Sequence, residues 1–187
     1  MGAARRLVGI VCATLLLGAC ASVPPKSSRL TVDDLEATTT EIAQRLSSSE
    51  WLSSRTPESP PVVIAIDKVQ NLTSDLIPSS EQWWMMARLR DGLNVSALRR
   101  DRNVRFVIPQ EYLKDAIEAG RLPPESGEQR RPTHAMEGTF RSLTRTAGKD
   151  RTDAYMFETR ITEIQTGEQV AQENFEFKRI AFGRSYD

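Results

Sequence analysis

An uncharged, mostly apolar run of 11 residues, Leu7 to Leu17, follows the pair Arg5-Arg6 and decides how much of the chain is left to fold. As a helix this run falls short of the roughly 20 residues that cross a bilayer core of about 30 Å, but it has the basic flank and the length of a signal h-region. Residues 1–19 are therefore set apart from the folded body, and Cys12 goes with them. The body keeps one cysteine, Cys20, and the chain's single histidine, His134. A disulfide scaffold, a four-cysteine zinc site and any mechanism needing two imidazoles are excluded. Charges balance over the whole chain, 25 basic against 25 acidic. Removing residues 1–19 takes away two arginines and no acid, so the body is slightly acidic, which argues against a nucleic-acid binder. An apolar content of 39% is enough for a packed core.

The apolar run ends in Leu17-Gly18-Ala19-Cys20, an aliphatic residue and two small ones before a cysteine. This resembles the lipobox of bacterial lipoprotein precursors. The alternative is an ordinary secretory signal with an incidental cysteine. The resemblance implies that Cys20 becomes the new N-terminus, acylated on sulfur and then on nitrogen, and that palmitate labelling depends on it. Two or more acyl chains, at about 0.8 kcal/mol per buried methylene, hold a protein stably where one is marginal. Residue 21 is Ala; an Asp there would resemble an inner-membrane retention signal, so the resemblance implies the outer membrane, with the body facing the periplasm.

Ala21 to Leu30, with Pro24-Pro25 and Ser27-Ser28, reads as a linker reaching at most about 35 Å. Thr31-Val-Asp-Asp34 is a capping box with Asp in the place of Glu or Gln, and Leu35, Thr39, Ile42 and Leu46 then share a helical face. This helix, to about Ser54, is rich in Thr and Ser and is expected to be peripheral. Pro61 to Lys68 is a buried strand, and Val69 to Ser80 is expected to be loop. Ser79 or Ser80 would cap a helix over Glu81–Arg100, its face formed by Met86, Leu89, Leu93 and Ala97, with Trp84 pointing away. Val104–Ile108 is a second strand. Pro109 opens a third helix that stops at Gly120, and Arg121–Pro132 is a polar loop. His134–Thr146, Asp153–Ile164 and Glu168–Lys178 are extended runs, the last two joined as a hairpin through Gln165-Thr166-Gly167. Residues 31–187 thus form a single α/β domain: a mixed sheet with a C-terminal antiparallel hairpin, flanked by about three helices.

No H-E-x-x-H, G-x-S-x-G, S-x-x-K or Gly-rich phosphate loop occurs in the chain. His134 opens a strand and reads as structural or solvent-facing. Glu137, Asp153 and Glu163 stand on strands that would have to face one another to supply a carboxylate pair. The expectation is no enzyme, no cofactor, no metal and no small-molecule substrate.

Val62 to Thr73 (VVIAIDKVQNLT) is the informative stretch of the body: an apolar strand ending in Asp67, with Asn71 and Thr73 at alternate positions. With the turn Ile164–Glu168 and the order of elements, it resembles the LpoB-type lipoproteins, which activate penicillin-binding proteins, and the related fold of the TolB N-terminal domain and of curli secretion lipoproteins. The resemblance implies a non-enzymatic regulator that docks on a bifunctional penicillin-binding protein, anchored to the membrane by its lipid. A subunit or adaptor of an envelope secretion complex is the alternative. Such activators carry a long flexible linker, and the one here is short. Were the first helix to unfold, residues 21–60 would stretch to about 130–140 Å. Asn71 and Thr73 either meet a partner or fix a loop through hydrogen bonds to the backbone. Trp84 either anchors an interface or packs under the Arg121–Pro132 loop.

Overall fold

The structure, a computed structural model, describes residues 27–107, 117–118, 120 and 130–181. Cys20, most of its linker, and nearly all of the expected helix Pro109–Gly120 and loop Arg121–Pro132 lie outside the described residues. Within them are α1 (Val32–Ser48), α2 (Glu50–Ser53), β1 (Val62–Leu72), α3 (Ser79–Gly92), α4 (Val95–Asp101), β2 (Val104–Val107), β3 (His134–Ala147), β4 (Asp150–Glu163) and β5 (Gln169–Ala181). The five strands form one mixed sheet in the order β2-β1-β3-β4-β5. β1 runs parallel to β2 and β3, and β3, β4 and β5 follow as an antiparallel meander. The α/β class, the mixed sheet and the C-terminal hairpin agree with the sequence pattern.

α1 begins as the capping box predicts. The Thr31 hydroxyl accepts from the Asp34 amide, and Asp34 accepts from the Thr31 amide at 2.8 Å. Its position differs from expectation. Leu35, Ile42, Ala43 and Leu46 are buried in the common core, so the helix belongs to the core of the domain. The Thr residues that weaken its amphipathic pattern are buried without cost to hydrogen bonding: Thr38 and Thr39 donate to the carbonyls of Asp34 and Leu35 one turn back. α1 lies along the edge strand β5. Arg179 meets Asp34 at 3.3 Å near one end, and Arg45 donates to the Asn174 carbonyl at 2.6 Å near the other, blunting a sheet edge.

β1 is longer than the apolar run suggests. Opposite β3 the register steps from Ile66–Met136 to Val69–Gly138, a bulge that places both Asp67 and Lys68 outward and turns Val69 back into the core. The bulge breaks the alternation, which is why Val69–Leu72 reads as loop. The expected helix 81–100 is two helices. Asn94, at φ +51°, breaks it and caps α4 by accepting from the Ala97 amide. The break rotates the buried face, so Leu98 rather than Ala97 is buried. Pro78, not a serine, stands at the N-cap of α3.

The core lies between the sheet and the α1–α3 layer. Phe140, Tyr155, Phe157 and Phe177 form an aromatic cluster with ring centroids 5.3–6.5 Å apart. Gly138 makes room for it. A Cβ there would stand 2.9 Å from the Phe157 ring and 3.2 Å from Met86 Sδ, so both side chains would have to shift to make room for it.

Candidate functional site

Three strand ends and the incoming chain converge at one end of the sheet. Ser28 is fully buried there. Its hydroxyl donates to Asp153 on β4, and its carbonyl accepts from the Tyr155 phenol at 3.2 Å. The same phenolic proton is shared with Asp75, at 2.6 Å the closer acceptor, and Asp75 also accepts from the Leu30 amide at 3.1 Å. Asp153 takes a further hydrogen bond from Thr144, directly opposite on β3, and an ion pair from Arg151 at 2.9 Å. Arg29 lies 3.8 Å from Asp75. The chain leaving the linker is thereby locked into the sheet.

The charges in this lock are set by their surroundings. Burial opposes ionisation of Asp153, but the hydrogen bonds from Ser28, Thr144 and Arg151 outweigh it and hold the carboxyl below its usual range. Burial, and then the hydrogen bond to Asp75, push the Tyr155 phenol upward, so it remains a donor. The signal for Asp153 lay in the alternation of β4. Asp153 shares the inward face with Tyr155, Phe157, Thr159 and Ile161, and a buried acid among aromatics needs donors. Ser28 and Asp75 had no such signal, since both sit in segments without periodicity.

The sequence candidates Asn71 and Thr73 come together at the same end. Asn71 Oδ1 accepts from the Thr73 amide at 3.0 Å, and its Nδ2 donates to the Asp75 carbonyl at 2.8 Å. The Thr73 hydroxyl accepts from the Asp75 amide at 3.0 Å. These side chains are committed to the loop, which presents Asp75 inward and Leu76, 88% exposed, outward. Asp67 stands apart at the bulge, capping the Lys68 amide.

Trp84 lies on α3 and not in this cluster. It is half-buried against the core, with the Arg88 guanidinium 5.1 Å from its ring centroid, and Arg88 reaches Glu36 of α1 at 3.5 Å. Cys20 lies outside the described residues. The three strand carboxylates do not form a pair. Glu137 binds Arg160 at 2.8 Å on the outer face, Asp153 points inward, and Glu163 is ten residues further along β4, about 33 Å away. Glu163 accepts from Thr166 in the hairpin turn.

His134 is at the opposite end of the sheet. It is buried, 2.8 Å from the Thr133 hydroxyl through Nδ1 and 5.6 Å from the Trp51 ring. Burial keeps its imidazole below the usual range, with Glu163 opposing. Among the described residues there is no cluster of three or more His, Cys, Asp or Glu that would hold a metal, and no helix long and apolar enough to cross a membrane.

The chain matches no known protein-family profile, and no curated protein is similar to it in sequence. Solved structures are similar in fold. The LpoB C-terminal domain from Escherichia coli is 14% identical, covers 77% of this chain and 98% of its own, and gives a TM-score of 0.45. The solution structure of E. coli LpoB is 12% identical, over 97% of this chain and 88% of its own, with a TM-score of 0.41. Lipoprotein GNA1162 from Neisseria meningitidis is 15% identical, over 64% of this chain and 83% of its own, with a TM-score of 0.39.

Proposed function

We propose that this is a lipid-anchored envelope protein that acts by binding, without catalysis of its own, and that its partner is a bifunctional penicillin-binding protein whose glycan polymerisation it regulates. The observation that carries the reading is the join between anchor and domain. A lipobox cysteine at position 20 is followed, eight residues later, by a serine buried in the sheet. Such a chain is built to present a rigid surface at a fixed distance from a lipid. The likeness of Val62–Thr73 to the LpoB-type lipoproteins supports the choice of partner. Regulation of this kind requires that the domain bind the active conformation of the synthase more tightly than the inactive one. Acylated Cys20 holds the domain at the outer membrane, facing the periplasm.

Trp84 is the proposed contact, since α3 presents it half-exposed beside Arg88. Asn71 and Thr73 act by holding their loop. Affinity capture from cross-linked envelopes, followed by a polymerisation assay with the captured synthase, tests the reading. An increase in rate that Trp84→Ala reduces is expected. Recovery of secretion components without a synthase would move the protein to the adaptor class.

A further inference from the structure

Six large apolar side chains stand exposed among the described residues, and five of them lie toward the end of the domain where the chain enters the fold: Val32 at the start of α1, Leu76 in the loop after β1, and Leu72, Leu143 and Ile180 on the helix-free face of the sheet. Each is a near neighbour in sequence of a residue at that entry. Val32 follows the helix cap Thr31, and Leu72 and Leu76 flank the Asn71–Asp75 loop. Leu143 precedes Thr144, and Ile180 follows Arg179, which is in register with Asp153, so both stand at the level of the lock but on the outer face of the sheet. The sixth, Ile164, is at the opposite end. Between Leu143, Ala154 and Met156 runs a shallow groove of about 680 Å³ on the helix-free face.

We infer that this end of the domain rests on the surface of the lipid bilayer that holds the anchor. The inference relies on the proposed acylation of Cys20. From Cys20 to Ser27 the chain spans at most about 25 Å. Strands β3 and β4 are each 14 residues long, about 45 Å, so the end locked at Ser28 stays close to the lipid while the other stands off by the length of the sheet. A tether this short keeps the local lipid concentration high, so weak apolar contacts suffice. Arg145, Lys149 and Lys178 stand exposed among the five apolar side chains, with Asp33, Asp150 and Glu176 beside them. Mixed charge of this kind makes the contact independent of lipid charge, and the long cationic stems suit an interface, where the head stays wet and the methylenes do not.

The test builds the anchor chemically, so that it does not depend on acylation in the cell. The mature, unacylated chain from Cys20 is coupled through its one thiol to a maleimide lipid in phosphatidylcholine vesicles, and lysine acetylation is followed by mass spectrometry. Lys149 and Lys178 should react several-fold more slowly on vesicles than in solution, and Lys68, exposed at the β1 bulge, at the same rate. Leu76→Asp combined with Leu143→Asp, at exposed positions that leave the fold intact, should restore the solution rate. Unchanged rates at Lys149 and Lys178, an equal slowing at all three lysines, or protection that survives the double substitution would overturn the proposal. So would a slowing that rises with protein concentration without lipid, which would assign the face to a second copy. Palmitate labelling that depends on Cys20 is measured separately, so loss of the anchor in the cell and loss of the surface contact are read independently.

Discussion

The two ends of the sheet are closed by different chemistry. At the entry end, a buried carboxylate and a buried phenol receive the incoming chain, and large apolar side chains are left in solvent. At the other end, Trp51, His134 and the Thr133 hydroxyl close the fold. Arg102 seals the C-terminus of α2 through the carbonyls of Leu52, Ser53 and Arg55. On the proposed function, the first end is where an anchored chain enters; the second has only to be stable. A polar lock suits the first task because its strength depends on direction and partners, so it fixes where the chain enters. An apolar plug would hold no register.

The largest expected effect comes from breaking that lock. Asp153→Ala leaves Ser28 and Thr144 without their acceptor and removes the ion pair to Arg151, a loss of about 3 kcal/mol. Urea unfolding should show it. Hydrogen exchange should show residues 28–30 released while the amides around His134 keep their order of protection. If the two ends lose protection equally, they are not separate units. Gly138→Ala comes next. The added methyl meets Phe157 and Met86 between α3 and β3, and overpacking of this kind costs about 1–3 kcal/mol. It loosens the layer common to both ends, so protection should fall at both.

Much of the fold was legible in the sequence because most of its elements keep one period throughout. β3, β4 and β5 alternate, and α1 announces its start with a capping box. The misread segments are those where the period changes within an element: the bulge at Asp67-Lys68 hid the last third of β1, and Asn94 hid the break between α3 and α4. α1 departs from its sequence pattern for another reason. Its Thr side chains return their hydroxyls to the helix backbone, so they bury well although they read as polar. A helix with Ile42 and Leu46 in the core does not serve as extra tether under native conditions. Its amides should exchange as slowly as those of β4, and exchange at the rate of a frayed end would restore the long-tether reading. Of the site, Asn71 and Thr73 were visible as a loop motif, but Ser28 and Asp75 act through partners more than forty residues away in sequence.

Thr31→Ala is a smaller perturbation, about 1 kcal/mol, because it removes one cap from a helix otherwise held by its buried face. It acts at the entry end alone. Thermal unfolding should record the loss, and exchange should quicken over residues 31–35 without reaching Trp51.

The smallest effect separates the ends by pH. An unfolded His takes up its proton near pH 6.5, whereas His134 in the fold does so only lower, because burial disfavours the charge. The unfolded state therefore binds more protons in that window, and stability falls as pH drops through it. Asp153 is depressed in the fold, so its contribution is intact above the ordinary Asp value of 3.8 and is lost as pH falls below it. Tyr155 is raised, so its contribution is lost above about pH 10, where only the unfolded phenol ionises. His134→Phe keeps a ring beside Trp51 and removes the titration. The slope between about pH 7 and 5 should flatten, while the acid loss that belongs to Asp153 and the alkaline loss that belongs to Tyr155 stay in place. A variant that keeps the slope would mean that another group titrates at that end. One that also shifts the acid transition would mean that the two ends are coupled through the sheet.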